Sequence, residues 1–351
     1  MIRNVPKKPK VTLSDVAKES GYSTYTVSSV INDKGDIGAE ATERVLAAAK
    51  RLGYGYYGTH ARQLAVHSIG MVLPDPDCLH DGFYSRGLST FRKAASNAGY
   101  DCKLYTEADF LVKKLREPIA GNHPPALDME ALGCKGLIFY CPWLDYEYTV
   151  ANCLSKGVAV ALIRRNMATM PGLFLALDHD ENGMQALLDY HVGQHRNHRL
   201  AFVYTGDIQR TFVDRRYLAF TEYCQTHPAV SASIKLPEIA KKIDIKALVD
   251  FIRQGTKQGQ TCSVSCATDA IANRVMTLLF QHGFRIPEDV RVTGYNNDPI
   301  ASELSPSLTT MEIPVERMVK AACDYIIQSS NGLPPTKSRR FSHKLIQRDS
   351  A

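Results

Sequence analysis

The sequence lacks the features that would place a protein in a membrane or outside the cell. It contains no run of about 18 apolar residues, the length that a membrane-spanning helix needs. Its amino terminus, MIRNVPKKPK, is basic but has no apolar segment of the kind found in secretory signals. Its nine cysteines form no CxxC pair, and their odd number favours free thiols. We therefore expect a cytoplasmic protein with no membrane partner.

Motifs of several common enzyme families are also missing. No GxGxxG follows a predicted strand, and the patterns GxxxxGK[ST], GxSxG and HExxH do not occur. We expect no enzymatic activity and no cofactor. With 351 residues, of which 44% are hydrophobic and 22% charged, the chain has the composition of a globular protein with two or three domains.

The net charge of +6 is concentrated near the amino terminus. Residues 1–67 contain ten Lys/Arg and six Asp/Glu, so this short segment accounts for +4 of the net charge of +6. A basic segment suits a polyanionic partner, because neutralised phosphates supply most non-specific affinity for DNA. Solvated basic faces are nevertheless common, so charge alone does not settle the partner.

Residues 11–32, VTLSDVAKESGYSTYTVSSVIN, predict two short helices joined by a tight turn. Thr12 and Asp15 have the spacing of a capping box, Gly21 permits the sharp turn, and Ser23 caps the second helix. A third helix is expected from about Ala39 to Leu52. This arrangement is typical of a helix-turn-helix unit, whose second helix reads base edges in the major groove. The pattern leaves four side chains of that helix pointing away from the small core: Thr24, Tyr25, Ser28 and Ser29.

From Ser68 onward, short apolar runs alternate with amphipathic helices. One series of strands is expected at 69–75, 101–106, 136–142 and 158–163, and a second at 199–206, 263–269 and 290–298. Such alternation implies βαβ crossovers and parallel sheets, here in two lobes. Ligands of open α/β sheets bind beyond the carboxyl ends of the strands. We therefore expect the loops after residues 74, 142, 206, 268 and 295 to line a cleft.

The chain resembles the lactose-repressor (LacI/GalR) family of bacterial transcription regulators over essentially its whole length. Three segments carry the likeness in the amino-terminal part: VTLSDVAKESGYS…TVSSVIN, ERVLAAAKRLGY and the hinge-like HARQLA. Near the carboxyl end, IPEDVRVTGYNNDPIASELSPSLTTMEIP is similar to a long core motif of the family, and IQRDS to its closing strand.

The resemblance implies an all-α three-helix headpiece over residues 1–57, a hinge helix over 58–67 and an effector-binding, dimerising core over 68–351. The core would be a two-lobed α/β unit with parallel sheets, like a periplasmic binding protein. Lobe 1 is expected at about 68–164 and 299–328, and lobe 2 at about 165–298 and 329–351. The resemblance further implies a homodimer that binds a palindromic operator in double-stranded DNA and responds to a small-molecule effector, a sugar. No leucine heptad follows residue 348, which favours a dimer.

Positions that match the DNA contacts of the family supply the candidate DNA contacts of this chain. Ser29 stands where relatives commonly carry arginine, so a bidentate contact to guanine is unavailable there. Ala61 and Leu64 match hinge positions that enter the minor groove; alternatively, the segment is a plain linker. The full candidate set is Thr12, Ser23, Thr24, Tyr25, Thr26, Ser28, Ser29, Asn32, Tyr54, Ala61 and Leu64.

Candidate effector contacts follow in the same way. Arg216 is the strongest, because a guanidinium can donate paired hydrogen bonds to sugar hydroxyls or a carboxylate. Trp143 offers a face for a sugar ring beside Asp145, or is plain packing. Asn296 stands where the family usually has aspartate, and Asp269 could simply cap a helix. The full candidate set is Phe83, Tyr84, Trp143, Asp145, Arg210, Arg216, Thr268 and Asn296.

Two other interpretations compete with this one. His191, His195 and His198 invite a metal site, but no acidic third ligand is evident nearby, so no metal is expected. A cytosolic sugar-binding module without DNA function is the alternative to a regulator. The missing secretory signal and the complete helix-turn-helix pattern argue against it.

Overall fold

The computed structural model describes residues 11–32, 37–52, 68–107, 133–142, 146–193, 198–205, 211–333 and 336–351. The chain divides into two compact units, Met1–His67 and Ser68–Ala351. We call them the headpiece and the core. No helix among the described residues is both long and apolar enough to cross a membrane.

The headpiece consists of three helices around a core of valines and alanines, as the sequence predicts. The buried side chains come from all three helices, so no single helix could bury its apolar face alone. The helices are α1 (Leu13–Ser20), α2 (Thr24–Asn32) and α3 (Ala39–Leu52).

The first lobe of the core is built on a parallel six-stranded sheet. Alternate side chains of its strands are buried on opposite faces, since Leu137 and Phe139 belong to one apolar cluster and Ile138 and Tyr140 to another. The strands are β1 (Ser68–Leu73), β2 (Asp101–Thr106), β3 (Gly136–Tyr140), β4 (Ala159–Ile163), β5 (Leu173–Asp178) and, at 339–341, a strand that is numbered β11 in chain order. The helices are α4 (Gly82–Asn97), α5 (Glu147–Ser155) and, at 315–330, a helix numbered α11.

The second lobe is built on another six-stranded sheet. All its neighbouring strands are parallel except the last pair, β10 and β12, which is antiparallel. The strands are β6 (His198–Thr205), β7 (Val230–Glu238), β8 (Thr261–Cys266), β9 (Arg291–Asn296), β10 (Thr309–Glu312) and β12 (Lys344–Ile346). The helices are α6 (Asp180–Val192), α7 (Thr211–Thr226), α8 (Ile245–Lys257), α9 (Asp269–Gln281) and α10 (Ile300–Glu303).

Both sheets reverse their strand order next to their first strand. The orders are β11-β5-β4-β3-β1-β2 and β12-β10-β9-β8-β6-β7, so the chain turns to one side of β1 or β6 and then continues on the other. A crevice forms at such switch points, beyond the carboxyl ends of the strands. The topology therefore gives each lobe a ligand-facing edge.

The lobe boundaries differ from those predicted. Residues 173–178, expected in lobe 2, form β5 of the first sheet, because they pair in parallel with β4 from Val160↔Leu173 onward. Residues 339–341 join the same sheet, whereas residues 309–312, expected in lobe 1, belong to the second sheet. The α11 helix lies in the first lobe, as expected, where it packs against α4, β3, β4 and β5.

Three short segments therefore connect the lobes among the described residues. They join β5 to α6, β10 to α11, and β11 to β12. A change in lobe orientation would alter the contacts of side chains at these crossings.

Candidate DNA-binding and effector sites

The first helix of the headpiece begins with the predicted capping box. The Thr12 backbone N–H donates to Asp15 Oδ2 at 2.7 Å, and the Asp15 N–H donates to Thr12 Oγ1 at 3.3 Å. Gly21 ends the helix with φ at +77°, a conformation that favours glycine. The Thr26 N–H then donates to Ser23 Oγ at 3.0 Å, which fixes the start of α2. The turn between α1 and α2 is thus specified by local polar side chains.

The α2 helix presents polar and aromatic side chains on its outer face. Tyr25 is 78% exposed, and Thr24 is also exposed, while Val27 and Val30 are buried. Thr26 and Ser28 are half-buried. An exposed tyrosine and threonine at the start of a helix can donate to and accept from base edges or phosphates.

Ser29 does not lie where the sequence places it. It was expected to point away from the core, yet it is only 7% exposed. A serine is small enough to be buried next to Val30 at modest cost when its hydroxyl is satisfied. In the headpiece as it stands, Ser29 is therefore not part of the outer face of α2.

Several candidate residues lie outside the described part of the structure. For the DNA site these are Tyr54, Ala61 and Leu64, together with the side chain of Asn32. For the effector site they are Trp143, Asp145 and Arg210. Their assignments remain predictions.

A cavity of about 420 Å³ lies between the two lobes of the core. Its walls come from the carboxyl ends of β1, β4, β6, β7, β8 and β9 and from the residues that follow them, as the strand order predicts. Of the five candidate effector residues that the structure describes, four line it, namely Phe83, Tyr84, Thr268 and Asn296. The remaining lining residues are Asp75, Asp77, Cys78, Asp81, Arg164, Thr205, Glu238, Lys241, Ala270, Ile271 and Arg274.

Three aromatic rings support one wall of the cavity. The Phe83 ring stacks on Tyr140 with centroids 5.6 Å apart, and Tyr84 meets Tyr140 edge-on at 5.1 Å. The Tyr140 hydroxyl donates to the Phe83 carbonyl at 2.9 Å. This close approach of β3 to α4 needs Gly87, because a Cβ atom there would lie 2.5 Å from the Tyr140 ring. The wall is an apolar surface suited to the face of a sugar ring.

Thr268 and Asn296 line the cavity for different structural reasons. Thr268, rather than Asp269, caps α9, since the Ile271 N–H donates to Thr268 Oγ1 at 3.2 Å. Asn296 ends β9 with φ at +108°, and Arg164 follows β4 with φ at +62°. Non-glycine residues with positive φ are uncommon and cluster at functional sites. These strained strand ends therefore support a ligand site at this edge.

Arg216, the strongest effector candidate, is fully buried and does not line the cavity. Its Nε donates to Asp180 Oδ1 at 2.9 Å, its Nη1 donates to the Ala267 carbonyl, and its guanidinium lies 3.6 Å from the centroid of the Tyr295 ring. In this conformation Arg216 orders the start of α6, and the arginines that line the cavity are Arg164 and Arg274 instead.

Arg164 connects the cavity to the crossing between β5 and α6. It donates to Asp178 Oδ2 and Asp180 Oδ2, each at 2.5 Å, and all three side chains are buried. Burial acts to raise the pKa of Asp178, but Arg164 and His343 outweigh it and hold that pKa below its usual value. Asp180 thus receives one arginine from each lobe.

His343 lies at the crossing between β11 and β12 and joins the same group. Its Nε2 contacts Asp178 Oδ2 at 3.0 Å, and its Nδ1 contacts the Tyr295 hydroxyl at 2.7 Å. Asp178, Asp180 and His343 are close enough to hold a metal ion. The Arg164 guanidinium already bonds to both carboxylates, however, so the donor set does not fit a cation.

Two of the histidines that invited a metal site are structural. His191 Nε2 contacts Thr293 Oγ1 at 2.8 Å, and His198 Nε2 contacts Ser263 Oγ at 2.8 Å. Both are fully buried, and burial lowers the pKa of His191 to about 3. The third, His195, lies outside the described residues.

A second contact between the lobes is made by Arg86 of α4. Its Nη1 donates to the Asn297 carbonyl at 2.9 Å and its Nη2 to the Asn296 carbonyl at 2.8 Å. Arg86 therefore joins the first lobe to the end of β9 beside the cavity by two hydrogen bonds.

Next to the Arg86 contact, the carboxyl groups of Asp269 and Asp298 are buried together. The Asp298 N–H donates to Asp269 Oδ2 at 2.6 Å, and Thr310 donates to the other oxygen of Asp269. Burial and the charges of Asp269 and Asp81 raise the pKa of Asp298 to about 7. Burial raises the pKa of Asp269 to about 6.

Sequence reasoning did not find Arg164, Asp178, Asp180, His343 or Arg86. Each is an ionisable residue without a local sequence motif, and its partner lies on another element. The apolar run LFLALD, which ends in Asp178, was the available signal for β5.

Two family comparisons match separate parts of the chain. Residues 12–55 match "Bacterial regulatory proteins, lacI family", and residues 191–351 match "Periplasmic binding protein-like domain". The ribose operon repressor of Halalkalibacterium halodurans is 28% identical over 97% of this chain and 96% of its own. The regulator AscG of Escherichia coli is 24% identical over 97% and 98%.

Solved structures share the fold over most of the chain. The Lac repressor dimer bound to operator and the anti-inducer ONPF has a TM-score of 0.63, with 20% identity over 97% of this chain and 99% of that one. A LacI-family regulator from Enterococcus faecium with bound ribose has a TM-score of 0.60, with 17% identity over 81% and 98%.

A helix-turn-helix headpiece followed by a two-lobed core of this topology defines a class of bacterial transcription regulators. Both halves of the chain match that class in the expected order, and its relatives match along nearly their full length. The chain is similar along nearly its whole length to regulators of the lactose-repressor (LacI/GalR) family.

Proposed function

We propose that this protein is a transcriptional repressor that binds a palindromic operator as a homodimer and is controlled by a sugar bound between its core lobes. The observation that carries the proposal is that one chain has both an exposed α2 face in its headpiece and, in its core, a cavity lined by polar and aromatic side chains. Relatives named as an operon repressor and a sugar-bound regulator support it. The DNA partner implies a cytoplasmic location.

In this proposal α2 enters the major groove, with Thr24 and Tyr25 directed at bases. Thr12, Ser23, Thr26 and Ser28 lie at helix starts or partly exposed positions, where contacts to phosphate fix the register. The hinge positions Ala61 and Leu64 would contact the minor groove.

Effector control follows from contacts that join the lobes. A ligand in the cavity touches Arg164 and Asn296, and these residues are tied to Asp180 and Arg86 at the lobe contacts. A ligand that prefers one lobe orientation shifts the population toward it by its differential affinity, typically about 1–3 kcal/mol.

The test uses fluorescence anisotropy of full-length protein with duplexes from the region upstream of its own gene. We expect salt-sensitive binding to one palindromic duplex, and a change in affinity when a sugar such as ribose or cellobiose binds. Tyr25→Ala should weaken specific binding by about 1–3 kcal/mol, whereas Ala47→Ser, on the exposed face of α3, should not. Absence of salt-sensitive binding to any such duplex would refute the proposal.

A further inference from the structure

The α2 helix of the headpiece lacks the side chains that most often read bases. Its sequence, TYTVSSVIN, contains no Arg, Lys or Gln, and its single amide side chain belongs to its last residue, Asn32. Arginine and lysine donate paired hydrogen bonds to guanine, and asparagine and glutamine pair with adenine. The first residues of a recognition helix contact the base edges, so α2 brings no such pairing group to them.

The described basic side chains of the headpiece belong to the other two helices. Lys18 lies on α1, and Arg44 and Arg51 lie on α3. A guanidinium nitrogen of Arg44 lies 4.0 Å from Glu40, and one of Arg51 lies 3.5 Å from Glu19. The first helix of a helix-turn-helix unit crosses the phosphate backbone, so Lys18 suits a phosphate rather than a base.

The hydroxyl groups around α2 offer little discrimination between bases. Ser23 Oγ and Thr26 Oγ1 lie 2.9 Å apart in a hydrogen bond, and Ser23 Oγ also accepts from the Thr26 N–H at 3.0 Å. Ser29 is buried. A hydroxyl can donate or accept, so it bonds equally to a base edge that offers an acceptor and to one that offers a donor.

Two side chains at the start of α2 are exposed, those of Thr24 and Tyr25. Tyr25 is 78% exposed and presents the larger apolar surface, an aromatic ring. In the major groove, the base edges present hydrogen-bond donors, hydrogen-bond acceptors and one apolar group, the C5-methyl of thymine. Contact with that methyl group is therefore how the exposed start of α2 can distinguish one base from the other three.

We propose that the operator is read through thymine: the Tyr25 ring contacts a thymine C5-methyl group in each half-site, and α2 makes no paired contact to guanine. This inference rests on the proposed DNA-binding function and adds the base that α2 selects. The contact is apolar, so it supplies specificity without adding to the salt dependence of binding, which comes from phosphate contacts.

The test uses fluorescence anisotropy of the full-length protein with the palindromic duplex from the region upstream of its own gene. Each thymine of one half-site is replaced in turn by deoxyuridine, which removes only the C5-methyl group. We expect at least one replacement to weaken binding about fourfold, the change in affinity that corresponds to one buried methyl group.

The same scan with variants at residue 25 assigns the loss to the aromatic ring. Tyr25→Ala should bind the thymine and deoxyuridine duplexes equally, whereas Tyr25→Phe should keep the fourfold loss because it keeps the ring. Ala47→Ser, on the exposed face of α3, is the matched control and should keep the loss as well. Deoxyuridine can also alter duplex stiffness, so only the part of the loss that Tyr25→Ala abolishes is assigned to the contact. The salt dependence of binding should be the same in all four proteins.

No loss at any thymine, an equal loss in Tyr25→Ala and wild type, or disappearance of the loss in Tyr25→Phe would each overturn the proposal. A larger loss when 7-deazaguanine, which lacks the N7 acceptor, replaces a guanine would overturn it too. In all these outcomes the duplex is still bound, so the proposed function stands and only the selected base is wrong. If no duplex binds in a salt-sensitive way, the proposed function fails and this inference fails with it.

Discussion

The headpiece and the core place their functional side chains in opposite environments. The headpiece buries valines and alanines and keeps Thr24 and Tyr25 exposed. The core instead buries Arg164 and Arg216 with their aspartates beside the cavity. In the headpiece, function and stability should therefore separate under mutation, whereas in the core they should change together.

The largest expected effect comes from Arg164→Ala. It would leave Asp178 and Asp180 buried without the guanidinium that bonds to both, and removing one partner of a buried pair costs about 3–5 kcal/mol. The measurement is urea unfolding, with hydrogen exchange resolved to headpiece and core peptides. Core peptides should lose protection and headpiece peptides should not.

Arg274→Ala is the matched control, because its partner Glu238 is buried but Arg274 itself is 35% exposed. Its cost should be smaller. If the two variants unfold at the same urea concentration, the buried group of Arg164, Asp178 and Asp180 does not stabilise the core more than the partly exposed Arg274–Glu238 pair does.

A smaller loss is expected from Gly87→Ala. The new methyl group would lie 2.5 Å from the Tyr140 ring, and overpacking of this kind costs about 1–3 kcal/mol. Because Tyr140 supports Phe83 and Tyr84, sugar affinity should fall together with core stability. Ser96→Ala, on an exposed position of the same helix, is the control for both measurements.

The next prediction concerns the pH dependence of core stability. Since the pKa of Asp298 is raised to about 7, the folded core retains a proton that the unfolded chain has already released above about pH 4. This group therefore lowers stability as pH rises from about 4 to about 7, and its effect is complete above that range. Asp269, with a pKa of about 6, acts in the same direction.

Asp298→Asn should reduce the stability difference between about pH 6 and pH 8 by roughly 1 kcal/mol, measured as urea midpoints. The window above pH 6 is chosen because most of the Asp269 effect lies below it. The exposed Asp250→Asn should keep the wild-type profile. Parallel profiles for wild type and Asp298→Asn would contradict the prediction.

Sequence patterns predicted the headpiece almost completely because its determinants are local. Thr12, Asp15 and Gly21 act within one helix and its turn, and the bounds of α3 agree with those expected. Ser29 was misplaced because helical periodicity assigns a face by angle, whereas its burial depends on how the three helices pack.

The alternation of strands and helices predicted the parallel sheets and the edge where the cavity lies. It could not assign β5 and β11 to the first sheet, because pairing between distant strands leaves no local trace. The group around Arg164 was missed for the same reason, since its members come from β4, β5, α6 and the crossing at His343.

The smallest expected loss of stability is in the headpiece, and it tests whether function and stability separate there. Thr12→Ala removes both hydroxyl contacts to Asp15, and loss of an N-cap costs about 1 kcal/mol. Amides of α1 should exchange faster, and Thr12→Ser should restore them because serine caps equally well. Thr24→Ala should do the reverse, changing operator affinity but not exchange, since Thr24 is exposed. If Thr24→Ala destabilised the headpiece as much as Thr12→Ala, function and stability would not be separable there, and the contrast with the core would fail.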